Sequence, residues 1–229
     1  DNTGQKVLVP HEPMAGEDGC LSCHSVHAGS FKGLLTKEID QLCFGCHSKT
    51  RIDGKKFKNQ HQPYVDADCT TCHNPHGSNV TNILVNRADA VCYTCHIEKE
   101  SEYQKNRIHD PVQKGNCTAC HSGHGSANTH FLKEKGNKLC QTCHEPLMEK
   151  ELNETEHSPF KDDDCTTCHT PHAGNIKGMI VDDQRTLCFS CHDNLEEELE
   201  KSTSKHESVN AGQCTQCHNP VSYTHLRAH

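Results

Sequence analysis

Apolar positions are sparse along this chain, and the elements they predict are short. The best helical material is TKEIDQLCFGCH at residues 36–47 and DDQRTLCFSCHDNLEEELEKS at residues 182–202. The second of these has acidic residues early and lysine late, as a helix dipole favours. The acidic run at 196–200 reads as a solvated helix face. Between such stretches lie HAGS (27–30), HGSN (76–79), HGSA (124–127) and HAGN (172–175), which read as turns or loops. Pro63, Pro111 and Pro159 are expected to break any preceding helix. No stretch reaches the 18 or so apolar residues of a membrane span.

Composition sharpens this picture. Apolar residues make up 32% of 229, but that share includes 18 cysteines, there is no tryptophan, and mean hydropathy is -0.82. So few large apolar side chains cannot offset chain entropy by burial alone. Something other than side chains must build the core, and a large, mostly apolar macrocycle such as haem suits the role.

The cysteines say which group that is. All 18 fall in Cys-x-x-Cys pairs, and a histidine follows each of the nine pairs. A disulfide framework would explain an even count but not the histidines. Zinc ribbons use such pairs without needing a histidine directly after each one. Cys-x-x-Cys-His is the attachment signature of c-type haem: two thioether bonds to the vinyl groups, and a histidine placed to bind the iron. The attachment cysteines are Cys20 and Cys23, Cys43 and Cys46, Cys69 and Cys72, Cys92 and Cys95, Cys117 and Cys120, Cys140 and Cys143, Cys165 and Cys168, Cys188 and Cys191, and Cys214 and Cys217. The proximal histidines are His24, His47, His73, His96, His121, His144, His169, His192 and His218. Haem c is thus expected nine times, covalently attached and bis-histidine ligated.

The motifs repeat. Four repeats each hold two motifs whose first cysteines are 23 residues apart, and the first cysteines of successive repeats lie 49, 48, 48 and 49 residues apart. A fixed period of this size marks an array in which each repeat packs on its neighbours. The boundaries drawn are di-haem repeats at 1–54, 55–102, 103–150 and 151–199, then an incomplete mono-haem repeat at 200–229. The expected fold is mostly irregular with short α-helices, an elongated run of tandem di-haem repeats organised around a haem chain.

Twelve of the 21 histidines remain after the proximal set. His11, His61, His109, His157 and His206 open the five repeats, and His27, His76, His124 and His172 lie three residues past a first-motif histidine. These nine are the candidate distal ligands. His130, His225 and His229 fall outside the pattern, and Met14, Met148 and Met179 have no repeat counterparts. Spacing suggests that the plus-three histidines His27, His76, His124 and His172 serve the second haem of their own repeat, at His47, His96, His144 and His192. The opening histidines then loop over the first haem, His11 with His24, His61 with His73, His109 with His121, His157 with His169 and His206 with His218. All-histidine ligation keeps potentials low.

CTTCHNPHGS in the second repeat and CTTCHTPHAG in the fourth resemble the doubled Cys-x-x-Cys-His family of multihaem cytochromes, and the resemblance runs from His11 to Pro220. It implies haem-to-haem electron transfer in the periplasm or toward an extracellular acceptor. Related architectures include periplasmic carriers, outer-membrane conduits and polymerised extracellular filaments. The pattern breaks at Val221, where the fifth repeat has neither the plus-three histidine nor a second motif. The tail VSYTHLRAH (221–229) resembles translated adaptor sequence, with a genuine divergent C-terminus as the alternative.

The leading functional reading is therefore an electron-transfer wire without substrate chemistry, with a filament subunit as one form of it. A multihaem reductase of a small inorganic substrate is the alternative; it would need an iron with an exchangeable sixth position. Covalent haem attachment occurs outside the cytoplasm, so the chain is expected to be periplasmic or extracellular, its signal peptide already removed before DNTGQKV. The formal charge is -8, and nine ferric bis-histidine haems, each adding about -1, bring it to roughly -17. Nucleic acid is excluded as a partner on that ground; redox proteins with basic patches, or extracellular electron acceptors, fit, and a homo-oligomer or filament is open.

Overall fold

Each Cys-x-x-Cys-His motif forms one helical turn. The amide of every motif histidine described donates to the carbonyl of the first cysteine four residues earlier, from His24 to Cys20 (2.9 Å) through His218 to Cys214 (3.0 Å). One turn sets residues i, i+3 and i+4 on a common side, so both cysteines and the histidine share a face. The computed structural model describes residues 7–144, 157–161 and 165–221.

Second motifs sit on true helices, as the sequence predicts: α1 (Ile39–Cys46), α5 (Ala88–Tyr93), α8 (Asn137–His144) and α10 (Gln184–Phe189). Helices α2 (Ser48–Lys56), α6 (Ile97–Glu102) and α11 (Asp193–Lys201) follow three of them. Helix α11 carries Asp193 in its first turn and Lys201 in its last. Its acidic residues are largely solvated, with surface pairs Lys201–Glu197 (3.4 Å) and Arg185–Glu196 (3.6 Å). First motifs are shorter: 3-10 turns at Gly19–Ser22, Cys117–Ala119, Cys165–Thr167 and Cys214–Gln216, and the single α-turn α4 at Cys69–Cys72.

The prolines do more than end helices, since each begins a turn of its own. Pro63, Pro111 and Pro159 lie in the first turns of α3 (Gln62–Val65), α7 (Asp110–Gln113) and α9 (Ser158–Lys161). A fixed φ and a missing amide suit the first turn of a helix, so these residues start a turn after each opening histidine.

The Gly/Ser/Ala stretches after the first motifs depart further from a loop reading. Strand β1 (Asn59–Gln60) pairs antiparallel with β3 (Gly125–Ser126), and β2 (Arg107–Ile108) with β4 (Ala173–Gly174). Val9 and Ser78 make the same contact as an isolated bridge, with N···O distances of 2.8 and 2.9 Å. In all three cases the two residues before an opening histidine pair with the two after the plus-three histidine of the next repeat. Gly77, Ser78, Gly125, Ser126, Ala173 and Gly174 are buried by this ladder.

Small residues are needed there. Gly125 has φ +126, and a Cβ on it would lie 2.9 Å from Gln60 Cα and run into the Asn59 carbonyl oxygen. Gly125→Ala therefore combines left-handed strain with a backbone collision, and should cost about 2 kcal/mol or more. A drop in the thermal midpoint of the holoprotein is expected, and an unchanged midpoint would contradict the ladder.

The contacts gather into two compact units, one of Asp1–Lys99 with Lys114–Glu134, the other of Glu100–Gln113 with Lys135–His229. Both cut through the third sequence repeat, because strand exchange ties each repeat to its neighbour. Among the described residues only Ala173 and Phe189 are buried hydrophobics, and no side chain is fully enclosed. Side chains alone build almost no core.

Candidate haem sites

In four repeats the residues after the first motif double back on it. Ser25, Asn74, Ser122 and Thr170 donate their amides to the carbonyls of Leu34, Ile83, Phe131 and Met179, at 2.7–2.8 Å. The returning turn carries two consecutive left-handed residues each time: Gly33–Leu34, Asn82–Ile83, His130–Phe131 and Gly178–Met179. Bulky residues at positive φ cost about 1–3 kcal/mol each and persist where the surroundings fix them. Here the conformation aims a carbonyl at the imidazole. His24 Nδ1 donates to Gly33 O (2.7 Å), His73 to Asn82 O (2.9 Å), His121 to His130 O (2.7 Å) and His169 to Gly178 O (2.9 Å).

A carbonyl can only accept, so Nδ1 must carry the proton and Nε2 presents its lone pair. His130, set aside in the sequence as irregular, thus acts through its backbone. The readable signal was the offset of nine residues from each first-motif histidine, occupied by glycine or asparagine in the other three repeats.

The opening histidines are held in the same way, but by the next repeat. His11 Nδ1 donates to Pro75 O, His61 to Gly123 O and His109 to Pro171 O, each at 2.8 Å. Each acceptor is the residue just before a plus-three histidine. The amides of His61 and His109 also donate to the carbonyls of His124 (3.2 Å) and His172 (2.9 Å). One short ladder therefore positions both kinds of spare histidine.

Their rings face proximal histidines across a gap. Ring centres lie 6.0 Å apart for His11–His47, His24–His76 and His109–His144, 6.1 Å for His73–His124, 6.2 Å for His157–His192 and 6.3 Å for His61–His96. Interplanar angles run from 11° to 43°. Two imidazoles sharing one metal, each nitrogen about 2 Å from it, place their ring centres about 6 Å apart. The gaps fit an iron. Among the described residues no group of three or more His, Cys, Asp or Glu could hold a bare ion. Two axial imidazoles beside a Cys-x-x-Cys pair fit a metal whose other four ligands come from a macrocycle.

This pairing corrects the one expected from spacing. His11 faces His47 and not His24; His61 faces His96 and not His73; His109 faces His144 and not His121; His157 faces His192 and not His169. Plus-three histidines reach back one repeat: His76 faces His24 and not His96, and His124 faces His73 and not His144. The cause is the strand exchange, which lays the start of one repeat on the next. His172 stacks on Tyr103 at 4.6 Å. His47, expected opposite His27, faces His11 instead. His225, His229 and Met148 lie outside the described residues, as does nearly all of the tail that resembles adaptor sequence.

Burial holds the His124 imidazole below the ordinary histidine range, with His73 and His61 adding to the effect. The neutral ring is the metal-binding form. Because the folded value is depressed, the folded state binds fewer protons. The stability gained is present above the ordinary value near about 6.5 and is lost as pH falls below it.

Cysteines of several consecutive motifs lie near one another. Burial, then the neighbouring Cys69, push the Cys43 thiol up to about 11, and burial, then Cys214, do the same to Cys188. Cys92 is pushed up chiefly by its hydrogen bond with Cys117, and Cys117 is lowered to about 7 by the same bond. Burial, then Cys46, push the Cys23 thiol up, and burial, then Cys95, do the same to Cys72. Each link joins consecutive motifs.

Comparison with protein-family models matches the doubled CXXCH motif at residues 11–52, 61–101, 109–149 and 157–197, more than half of the chain. The chain belongs to this family of multihaem c-type cytochromes. Each match opens on one of His11, His61, His109 and His157, the histidines that open the repeats. Comparison with curated proteins finds no match for this cytochrome. Its motifs hold covalently bound haem c, the role for which its thiol pairs and anchored imidazoles are arranged. No helix among its described residues is long and apolar enough to cross a membrane.

Proposed function

We propose that this cytochrome holds nine haems and passes electrons along them in sequence order, on the periplasmic or extracellular side of a membrane. The opposed imidazole pairs carry this reading, and the consecutive cysteine contacts support the order. Haem supplies a reversible one-electron iron couple when bound. The chain's own residues fix where it lies and which nitrogens meet it. In the proposed scheme a first-motif haem would be held from its other side by the plus-three histidine of the following repeat: His24 with His76 and His73 with His124. A second-motif iron takes the opening histidine of its own repeat: His47 with His11, His96 with His61, His144 with His109, and His192 with His157.

With a histidine held on each side, those haems would be closed to substrate and low in potential, which suits carriage. Negative charge directs the protein toward redox partners with basic patches or toward extracellular acceptors. Intact mass of the exported protein is expected to show nine haem additions; eight or fewer would overturn the count.

Reduction of a small inorganic substrate has one observation in its favour. Val221 donates its amide to Asn219 Oδ1 (3.2 Å) as His76 does to Asn74 Oδ1 (3.1 Å). A valine thus occupies the plus-three position of the fifth repeat, where the scheme requires a ligand for the iron at His169.

A further inference from the structure

The three occupied ladders define what a repeat accepts. The edge is the plus-three histidine and the two small residues after it. The occupant is an extended pair of residues ending in an opening histidine, from the repeat before. In the first repeat this edge is open. Val26, His27, Ala28, Gly29 and Ser30 are all exposed, whereas the equivalents of Ala28 and Gly29 are buried in the next three repeats. Ala173, the counterpart of Ala28, is 3% exposed.

The chain also carries an unused occupant. Residues 202–206 are exposed, and the backbone is extended at both ends of this stretch, at Ser202 (φ -79, ψ 137) and at His206 (φ -62, ψ 144). Thr203, Ser204 and Lys205 pair with no strand among the described residues.

We propose that residues 203–206 of one copy dock on residues 26–30 of a second copy, repeating the internal ladder between molecules. The register is set by the three existing cases. Ser204 lies opposite Gly29, as Arg107 lies opposite Gly174, and Lys205 opposite Ala28, as Ile108 lies opposite Ala173. Nδ1 of His206 donates to the carbonyl of Val26, the residue before the plus-three histidine. His27 is turned toward the docked copy, as His76 is turned toward the preceding repeat. The two surfaces differ and lie on different parts of the chain, so each added copy leaves one of each open, and the contact propagates instead of closing as a two-fold dimer. This rests on the interlocked ligation proposed above, and it deepens the filament reading with a defined contact.

Sedimentation velocity of the holoprotein over a range of concentrations tests it, with two variants. Ala28→Arg places a long charged side chain where the docked strand must sit, and Ser204→Pro removes the amide that the ladder needs. Both positions are exposed in the single chain, and unchanged haem count by mass shows that each variant is intact. Wild type is expected to form a concentration-dependent series of species, and each variant alone to associate at least about tenfold more weakly. An equimolar mixture of the two variants is expected to form a 1:1 pair and nothing larger, because Ala28→Arg keeps a working strand and Ser204→Pro a working edge. Wild type that sediments as one monomeric species throughout, a two-fold dimer that does not grow, or variants that associate like wild type would overturn the proposal. None of these results alters the haem count, so failure here is distinct from failure of the functional reading.

Discussion

Replacing His76 by glycine is expected to open the iron held at His24 in the preceding repeat, leaving the iron of its own second motif, at His96, six-coordinate. The ring centres of His24 and His76 are 6.0 Å apart, and losing an axial imidazole converts a low-spin haem to one that binds exogenous ligand. The ferric spectrum should gain a high-spin component of about one haem in nine. Added imidazole should reverse it, since the cavity left by the side chain admits the free ring. Two backgrounds identify the haem. With Cys92 and Cys95 both changed to alanine, which removes the haem at His96, the effect of His76→Gly should persist. With Cys20 and Cys23 both changed to alanine it should vanish. The reverse outcome would restore ligation within a repeat.

Val221→His is expected to act in the opposite direction. The parent chain should bind cyanide at the iron held at His169, which has no histidine ring opposite it among the described residues; its own Nδ1 donates to Gly178 at 2.9 Å. Position 221 already has the backbone setting of position 76, with its amide on the side chain of the asparagine two residues earlier. A histidine there should close the iron, and cyanide binding should fall by about one equivalent. Unchanged cyanide uptake would mean that the fifth repeat does not lie on the fourth as the others lie on theirs.

The sequence carried the local chemistry almost entirely. Cys-x-x-Cys-His names its own product, and a single helical turn is enough to bring its three side chains to one face. Helices at the second motifs were also legible, because Leu42 and Leu187 stand one residue before a motif cysteine in good helical context. The distal pairing was not. Spacing counts residues along the chain, while the ladder joins Asn59 to Ser126 and Arg107 to Gly174, 67 residues apart in each case. Nothing in Gly125–Ser126 distinguishes a surface turn from a buried edge until its partner is known. The left-handed turns were hidden for another reason. Ile83 and Phe131 are poor residues for positive φ, so propensity argues against the conformation that the proximal imidazole uses.

The exchange between neighbouring repeats also bears on how such a chain can lengthen. The three junctions among the first four repeats share one form, a strand and an opening histidine handed forward to the edge beside a plus-three histidine. Duplicating a whole period of 48 or 49 residues creates one more junction of that form and disturbs none of the others. Duplicating a single motif instead separates a giver from its receiver and leaves an iron and a histidine mismatched. Growth of these arrays by recombination is therefore quantised in pairs of haems.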